Sequence, residues 1–270
     1  MNKKKLFLLV FFSVFALGAA FGSFKYFNLT KNRQEAEELR QELEEFVSLP
    51  SPTPSPTAEP EASPNTEVKA TASPVPTATP VPDDTNWPVV DFEELLAINE
   101  DVAGWIHIEN TNISYPILQG ESNQEYLNTL ITGEENRIGS IFLDYRNEKD
   151  FTDRNTVIYG HHLAVGTMFS ELFKFKEEEF FRENDTVLIM TPEGNFKVKI
   201  FAVSIADLND GSWNVFFDND AQFLSWISER RKNALYTRDV NITAEDRVVT
   251  LSTCSYEFDD ARFVVMGIIE

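Results

Sequence analysis

A mostly-β fold, a closed barrel with inserted helices, is what the sequence predicts for residues 87–270. Three observations carry it. Short strand-like runs dominate from Trp105 to the end, two of them joined by the turn-forming stretch Thr191-Pro192-Glu193-Gly194, and only a few stretches show helical periodicity. The first 86 residues have a composition too uneven to share that core.

The chain opens with Lys3, Lys4 and Lys5, followed by an uncharged run of 19 residues from Leu6 to Phe24. That is close to the ~20 residues a helix needs to cross a bilayer. The lysines favour a cytoplasmic amino terminus, so everything after Lys25 is expected outside. Residues 1–30 are therefore read as a cytoplasmic tip and signal anchor, with the membrane as its partner. A cleaved secretory signal is the alternative, but the run is longer than the ~7 to 15 residues usual for a signal core. Both readings export the rest of the chain.

Residues 31–49 read as a juxtamembrane helix, with Leu39, Leu43 and Phe46 at spacings of four and three. One narrow stripe is weak evidence for self-pairing, so a solvated helix is expected. Residues 50–86 are rich in Pro, Ser, Thr, Ala and Val, and ten of the chain's thirteen prolines lie between Pro50 and Pro82. Such a segment buries too little apolar surface to offset ordering and favours extended geometry, so it reads as a disordered stalk reaching up to roughly 100 Å. Its Ser/Thr-Pro pattern also permits O-glycosylation.

In the domain, Asp91 with Glu94 three residues on and Phe92, Leu95 and Leu96 following has the form of a capping box opening an amphipathic helix. Strands are expected over Trp105–Glu109, Ile113–Leu118 (an apolar run that stops at a proline), Ser140–Tyr145, Thr156–Tyr159, Thr186–Met190 and Phe196–Ile205. Helices are expected from Thr167 to about Phe181 and from about Asp220 to Lys232. The chain closes with strands Arg247–Thr253 and Arg262–Ile269, separated by a short acidic loop.

A formal charge of -21 argues against nucleic acid as a partner, because phosphate binding needs clustered Lys and Arg. The sequence shows no metal-ligand cluster, no phosphate loop and no cofactor motif, so neither metal nor cofactor is expected. Exported proteins usually spend cysteines in pairs on disulfides, yet this chain has one, Cys254. A lone exported cysteine reads as a reactive thiol, an intermolecular bridge or a buried inert residue.

The three histidines differ in setting. Alternation groups His107 with Trp105 and Glu109, opposite the isoleucines, as a surface or rim residue. His161 and His162 follow Val157-Ile158-Tyr159-Gly160, where a buried strand gives way to a loop. Cys254 ends a second apolar strand, and Arg262 opens the next one eight positions on. If those strands are antiparallel neighbours, Cys254 and Arg262 face one another. A thiol titrating near ~8.5 needs a neighbouring cation to become thiolate, and an imidazolium supplies that charge and a proton for a leaving amine. Attack on an amide builds negative charge on oxygen, which a fixed guanidinium stabilises. Cys, His and Arg make a complete set for acyl transfer through a thioester.

At this point the residues resemble the sortase family. Thr250-Leu251-Ser252-Thr253-Cys254 looks like the segment ending in its nucleophile, Tyr159-Gly160-His161 looks like its histidine motif, and Arg262 matches the arginine opening the following strand. Gly139-Ser140-Ile141-Phe142-Leu143-Asp144-Tyr145-Arg146, His161-His162-Leu163 and Gly166-Thr167-Met168-Phe169 point to class B. The resemblance implies a sortase-like barrel over roughly Asp91 to Glu270, with Cys254 as nucleophile, His161 rather than His162 as acid/base, and Arg262 as electrophilic stabiliser. Ser252, Leu127 and Asn123 are implied to line the substrate groove. The implied partners are exported proteins with a carboxyl-terminal sorting signal, and an amine of a cell-wall peptide precursor or a pilin lysine. The loop from Ser255 to Ala261 is short for the family.

Two readings compete. A wall-remodelling hydrolase or an L,D-transpeptidase also uses an exported Cys and His, but the latter places Gly before its nucleophile and Arg shortly after it, whereas here Thr253 precedes Cys254 and Arg262 is eight residues away. A non-enzymatic surface domain on a stalk, with Cys254 inert, fits the anchor and stalk equally well.

Overall fold

The computed structural model describes residues 22, 23, 26, 27, 30, 31, 34, 35, 38–48, 87–163, 165–255 and 257–270. Residues 6–21 of the apolar run and the proline-rich segment over 50–86 lie outside them. No helix among the described residues is long and apolar enough to cross a membrane.

Eight strands close into a barrel. In chain order the strands are β1 (Val47–Ser48), β2 (Val89–Val90), β3 (Val102–His107), β4 (Ser114–Leu118), β5 (Ile141–Leu143), β6 (Asn155–Tyr159), β7 (Thr186–Met190), β8 (Asn195–Ala206), β9 (Tyr236–Thr237), β10 (Val248–Cys254) and β11 (Arg262–Ile269). The sheet runs β11-β10-β6-β5-β4-β3-β7-β8, and β8 pairs back onto β11 from Ala206–Arg262 to Val198–Ile269. Strand β9 adds to β8 at Ala202 and Val203, beyond the end of β7. Most pairs are antiparallel, but β4–β5 and β6–β10 are parallel.

Both faces of β10 and β11 are buried, and alternation sorts their side chains. Val249, Leu251, Phe263 and Val265 join the main core with Trp105, Ile106, Ile117 and Ile158. Val248, Val264, Met266 and Ile268 face a second core with Phe201, Phe223, Trp226 and Ile227. The last three of these come from an α-helix over Asp220–Lys232 (Phe223, Trp226 and Ile227 on its buried side), capped by Asn219, whose side chain accepts from the Gln222 amide at 3.0 Å.

Half of the expected capping box is present: Asp91 accepts from the Glu94 amide at 3.0 Å and opens the helix Phe92–Ile98, while the Asp91 amide donates to the Phe46 carbonyl and not to Glu94. The turn after β7 closes with Thr191 and Gly194 exchanging backbone hydrogen bonds of 2.9 and 3.3 Å. Strand β4 differs from expectation, since it runs through Pro116, which sits opposite Trp105. Trp105 is also not on a solvent face; it is fully buried and donates to the Ser114 hydroxyl at 3.0 Å. His107 is half-buried at the strand end, where burial lowers its pKa against the opposing influence of Glu109.

The helix expected from Thr167 is instead a 3-10 helix, Phe169–Lys176, followed by a short α-helix, Glu178–Glu183. Phe169, Leu172 and Phe175, three residues apart, are all fully buried. A repeat of three lines such positions up along one edge of a 3-10 helix, and the winding follows the core.

Residues 38–44 are helical, and they are docked rather than solvated: Leu39 and Leu43 are buried in the main core. They cover an apolar hollow formed by Tyr115, Pro116, Leu130, Ile131, Ile141 and Met168. Immediately afterwards β1 pairs antiparallel with β2, Val47 opposite Val90 and Ser48 opposite Val89, and the Asp91 amide donates to Phe46 at 3.0 Å. The chain therefore leaves β1 and re-enters β2 at neighbouring points.

Candidate active site

Three adjacent strands meet at one end of the barrel. Strand β10 lies between β6 and β11, and its ladder with β11 ends on the pair Cys254–Arg262. Directly opposed residues in an antiparallel ladder project to the same face, so thiol and guanidinium share one surface. On the other side, β6 runs parallel to β10 with Tyr159 opposite Ser252, and the Gly160 amide continues the ladder by donating to Ser252 at 3.2 Å. Two residues beyond Tyr159 comes His161, and two beyond Ser252 comes Cys254, so both leave their strands at the same level. Cys254, His161 and Arg262 are each half-buried.

His161 is oriented by the main chain. Its Nε2 lies 2.5 Å from the Leu127 carbonyl oxygen. A carbonyl only accepts, so this contact requires the proton on Nε2. Leu127 ends a 3-10 turn, Glu125–Leu127, which is held by the Ser140 amide donating to Tyr126 at 3.0 Å. Gly139 makes that approach possible: its φ is +62°, and a Cβ there would stand 2.4 Å from the Leu127 oxygen. At Gly160 a Cβ would stand 2.6 Å from the Phe169 ring, so the bend leading to His161 also requires glycine.

His162 points into a different setting. Its ring lies 4.1 Å from that of Phe173, and burial lowers its pKa, helped by Lys176 and opposed by Glu257. The connection from β10 to β11 is fastened to the Phe169–Lys176 helix: Lys176 pairs with Glu257, Glu257 accepts from the Ser255 hydroxyl, and the Lys176 ammonium lies 3.6 Å from the Phe173 ring centre. Arg262 Nη1 donates to the Ala261 carbonyl at 3.0 Å, and the Ser255 amide donates to Ala261 at 2.9 Å.

The three residues expected to line a groove are near this rim but differently occupied. Ser252 is buried, and its hydroxyl accepts from Trp213 Nε1 at 3.0 Å. The Asn123 side chain bridges Asp144, to which it donates at 3.1 Å, and the Tyr145 amide, from which it accepts at 3.0 Å. Leu127 is half-buried against the main core and contributes its carbonyl to His161. Sequence reasoning gave no role to Lys176, Glu257, Arg146 or the buried Asp144, although Asp144 stands directly after the apolar run Ile141–Leu143.

A family model described as "Sortase domain" matches residues 106–269. Sortase B of Staphylococcus aureus is 35% identical over 178 residues, which cover 65% of this chain and 73% of that protein. The structure of Clostridium perfringens sortase B superposes with a TM-score of 0.63 at 34% identity, covering 66% of this chain and 98% of that one. A Staphylococcus aureus sortase B–substrate complex also gives a TM-score of 0.63, at 35% identity over 66% of this chain and 84% of the other.

Proposed function

Because this chain belongs to the sortase family, whose members are cysteine transpeptidases, we propose that it cleaves a carboxyl-terminal sorting signal of exported proteins through Cys254. The acyl group then passes to an amine of a cell-wall peptide precursor. The observation that supports these roles best is the cross-strand pair Cys254–Arg262 with His161 leaving the adjacent parallel strand at the same level.

The Cys254 thiolate attacks the scissile carbonyl, and the developing oxyanion is met by the Arg262 guanidinium. Collapse of the tetrahedral adduct breaks the peptide C–N bond, and the imidazolium of His161 gives its proton to the departing amine. The thioester left on Cys254 is attacked by the incoming amine, whose proton returns to His161 as the new amide forms and the thiolate is released. Leu127 holds the imidazole through its carbonyl, and the groove runs over Asn123, Leu127 and Ser252.

We also assign Lys3–Lys5 and the run Leu6–Phe24 to a single-pass anchor with the catalytic domain outside the cell, as the working place of an enzyme acting on exported proteins. The test is mass spectrometry of the full-length protein in detergent, incubated with candidate signal peptides and two acceptors, a peptide α-amine and a lysine-bearing peptide. A product joined to the α-amine is expected. Transfer to the lysine alone assigns the enzyme to pilin polymerisation, and no product with either removes the transpeptidase assignment.

A further inference from the structure

We propose that Asp144 is a positioning residue that sets the substrate groove beside Cys254, tying together the three walls of that groove with one buried carboxylate; this rests on the sortase reading above. The side chain of Asp144 has no exposed surface. It accepts five hydrogen bonds: from the Arg146 amide at 3.0 Å, from Arg146 Nε and Nη2 at 2.8 Å each, from the Tyr159 hydroxyl at 2.9 Å and from Asn123 Nδ2 at 3.1 Å. Two carboxylate oxygens offer about four lone-pair directions, so the group is saturated.

Each donor leads to a different wall. Tyr159 is the last residue of β6, two before His161. Asn123 belongs to the segment that enters the 3-10 turn ending at Leu127, and its carbonyl also fixes the Tyr145 amide. Arg146 continues the chain, its Nη2 donating to the Trp213 carbonyl at 3.1 Å, while Trp213 Nε1 donates at 3.0 Å to Ser252, two residues before Cys254. Tyr159 and Ser252 are opposed in the β6–β10 ladder, so the relay closes on itself. Burial alone raises the Asp144 pKa, yet the bonds from Arg146, Tyr159 and Asn123 outweigh it and hold the group below the ordinary carboxylate range.

An ion pair with its carboxylate fully buried and its guanidinium half-buried is not needed to stabilise a barrel, since apolar residues of similar volume often serve as well. What a saturated carboxylate adds is fixed direction. Asp144 touches neither thiol nor imidazole, and its effect runs through the residues that present them.

The experiment uses the full-length protein in detergent, with wild-type acylation of Cys254 by a signal peptide as the control that the sortase reading itself holds. Asp144→Asn replaces an acceptor with a group that turns an N–H toward existing donors. A fall of about 10²-fold in kcat/KM is expected, carried mainly by KM, because a misplacement near 1 Å costs that much. Alkylation of Cys254 by a small reagent, which needs no groove, should stay within about twofold of wild type. Equal losses in alkylation and peptide cleavage, or a lowered melting temperature with normal KM below it, overturn the proposal. Should Asp144→Asn not fold, Tyr159→Phe and Trp213→Phe each delete one arm. Raised KM in both, with a double variant less than additive, upholds the relay, and normal KM in both overturns it.

Discussion

Cys254 and Arg262 are the terminal cross-strand pair of the ladder between β10 and β11, with the thiol and the guanidinium on one face. An arginine that opens a strand is held by the ladder behind it, so its direction is inherited from the barrel. Lysine at this position keeps the charge but has neither the planar fork nor the reach. Arg262→Lys is therefore expected to lower kcat by about 10²- to 10³-fold, the range for loss of an oxyanion donor, while leaving the rate of Cys254 alkylation close to wild type. Single-turnover acylation separates the two.

Gly139→Ala tests the main-chain support of His161. The added methyl meets the Leu127 oxygen at 2.4 Å in a left-handed conformation, so the turn must shift and its contact with Nε2 is lost. A stability loss of about 1–3 kcal/mol is expected from the strained backbone. Turnover measured well below the melting temperature should fall as well. A variant that unfolds earlier yet turns over normally would separate Gly139 from catalysis.

Glu257 gives a pH signature. Burial pushes its pKa up, but the bonds from Lys176 and Ser255 together prevail and bring it down to about 2. A carboxyl depressed in the folded state contributes stability that is present above its unfolded pKa and is lost as pH falls toward the folded value. The window is thus roughly pH 4.5 to 2. The group is exposed, so the stabilisation is small and falls with salt. Glu257→Gln at neutral pH should speed hydrogen exchange at the Ser255 amide. Equal exchange in both proteins removes the latch between the loop and Lys176.

The β1–β2 pair makes a prediction about chain architecture. Because residues 47–48 and 89–90 are neighbours, joining them with about five residues in place of the intervening segment should leave peptide cleavage unchanged. Shortening that connection roughly eightfold is three halvings, about 2 kcal/mol less closure entropy, so the melting temperature should rise. Removing residues 1–86 altogether should do the opposite, since Leu39 and Leu43 each contribute about 1.5–3 kcal/mol of burial. Thermal unfolding of the two variants side by side checks both signs.

The barrel was legible because β10 and β11 are long, apolar and punctuated by a short acidic loop, and because Thr191–Gly194 is a turn by composition. The convergence of Cys254 and Arg262 followed from the antiparallel pairing of consecutive strands. The Asp144 relay was not legible, because Asn123, Tyr159, Trp213 and Ser252 are far apart in sequence and hydrogen bonding leaves no periodic trace. The resemblance implies a groove position for Leu127 and says nothing of its carbonyl, which orients His161, because every residue has a carbonyl. The stripe of Leu39 and Leu43 reads alike whether it meets water or a barrel; only the hollow between Tyr115 and Met168 distinguishes the two.

The central claim is covalent, and intact-mass spectrometry of the full-length protein with a sorting-signal peptide and no acceptor tests it most directly. The expected result is an adduct whose mass equals the amino-terminal peptide fragment, mapped to Cys254 and absent from Cys254→Ala. A folded wild type that shows no adduct with any signal peptide, or a Cys254→Ala protein that still cleaves them, contradicts the account.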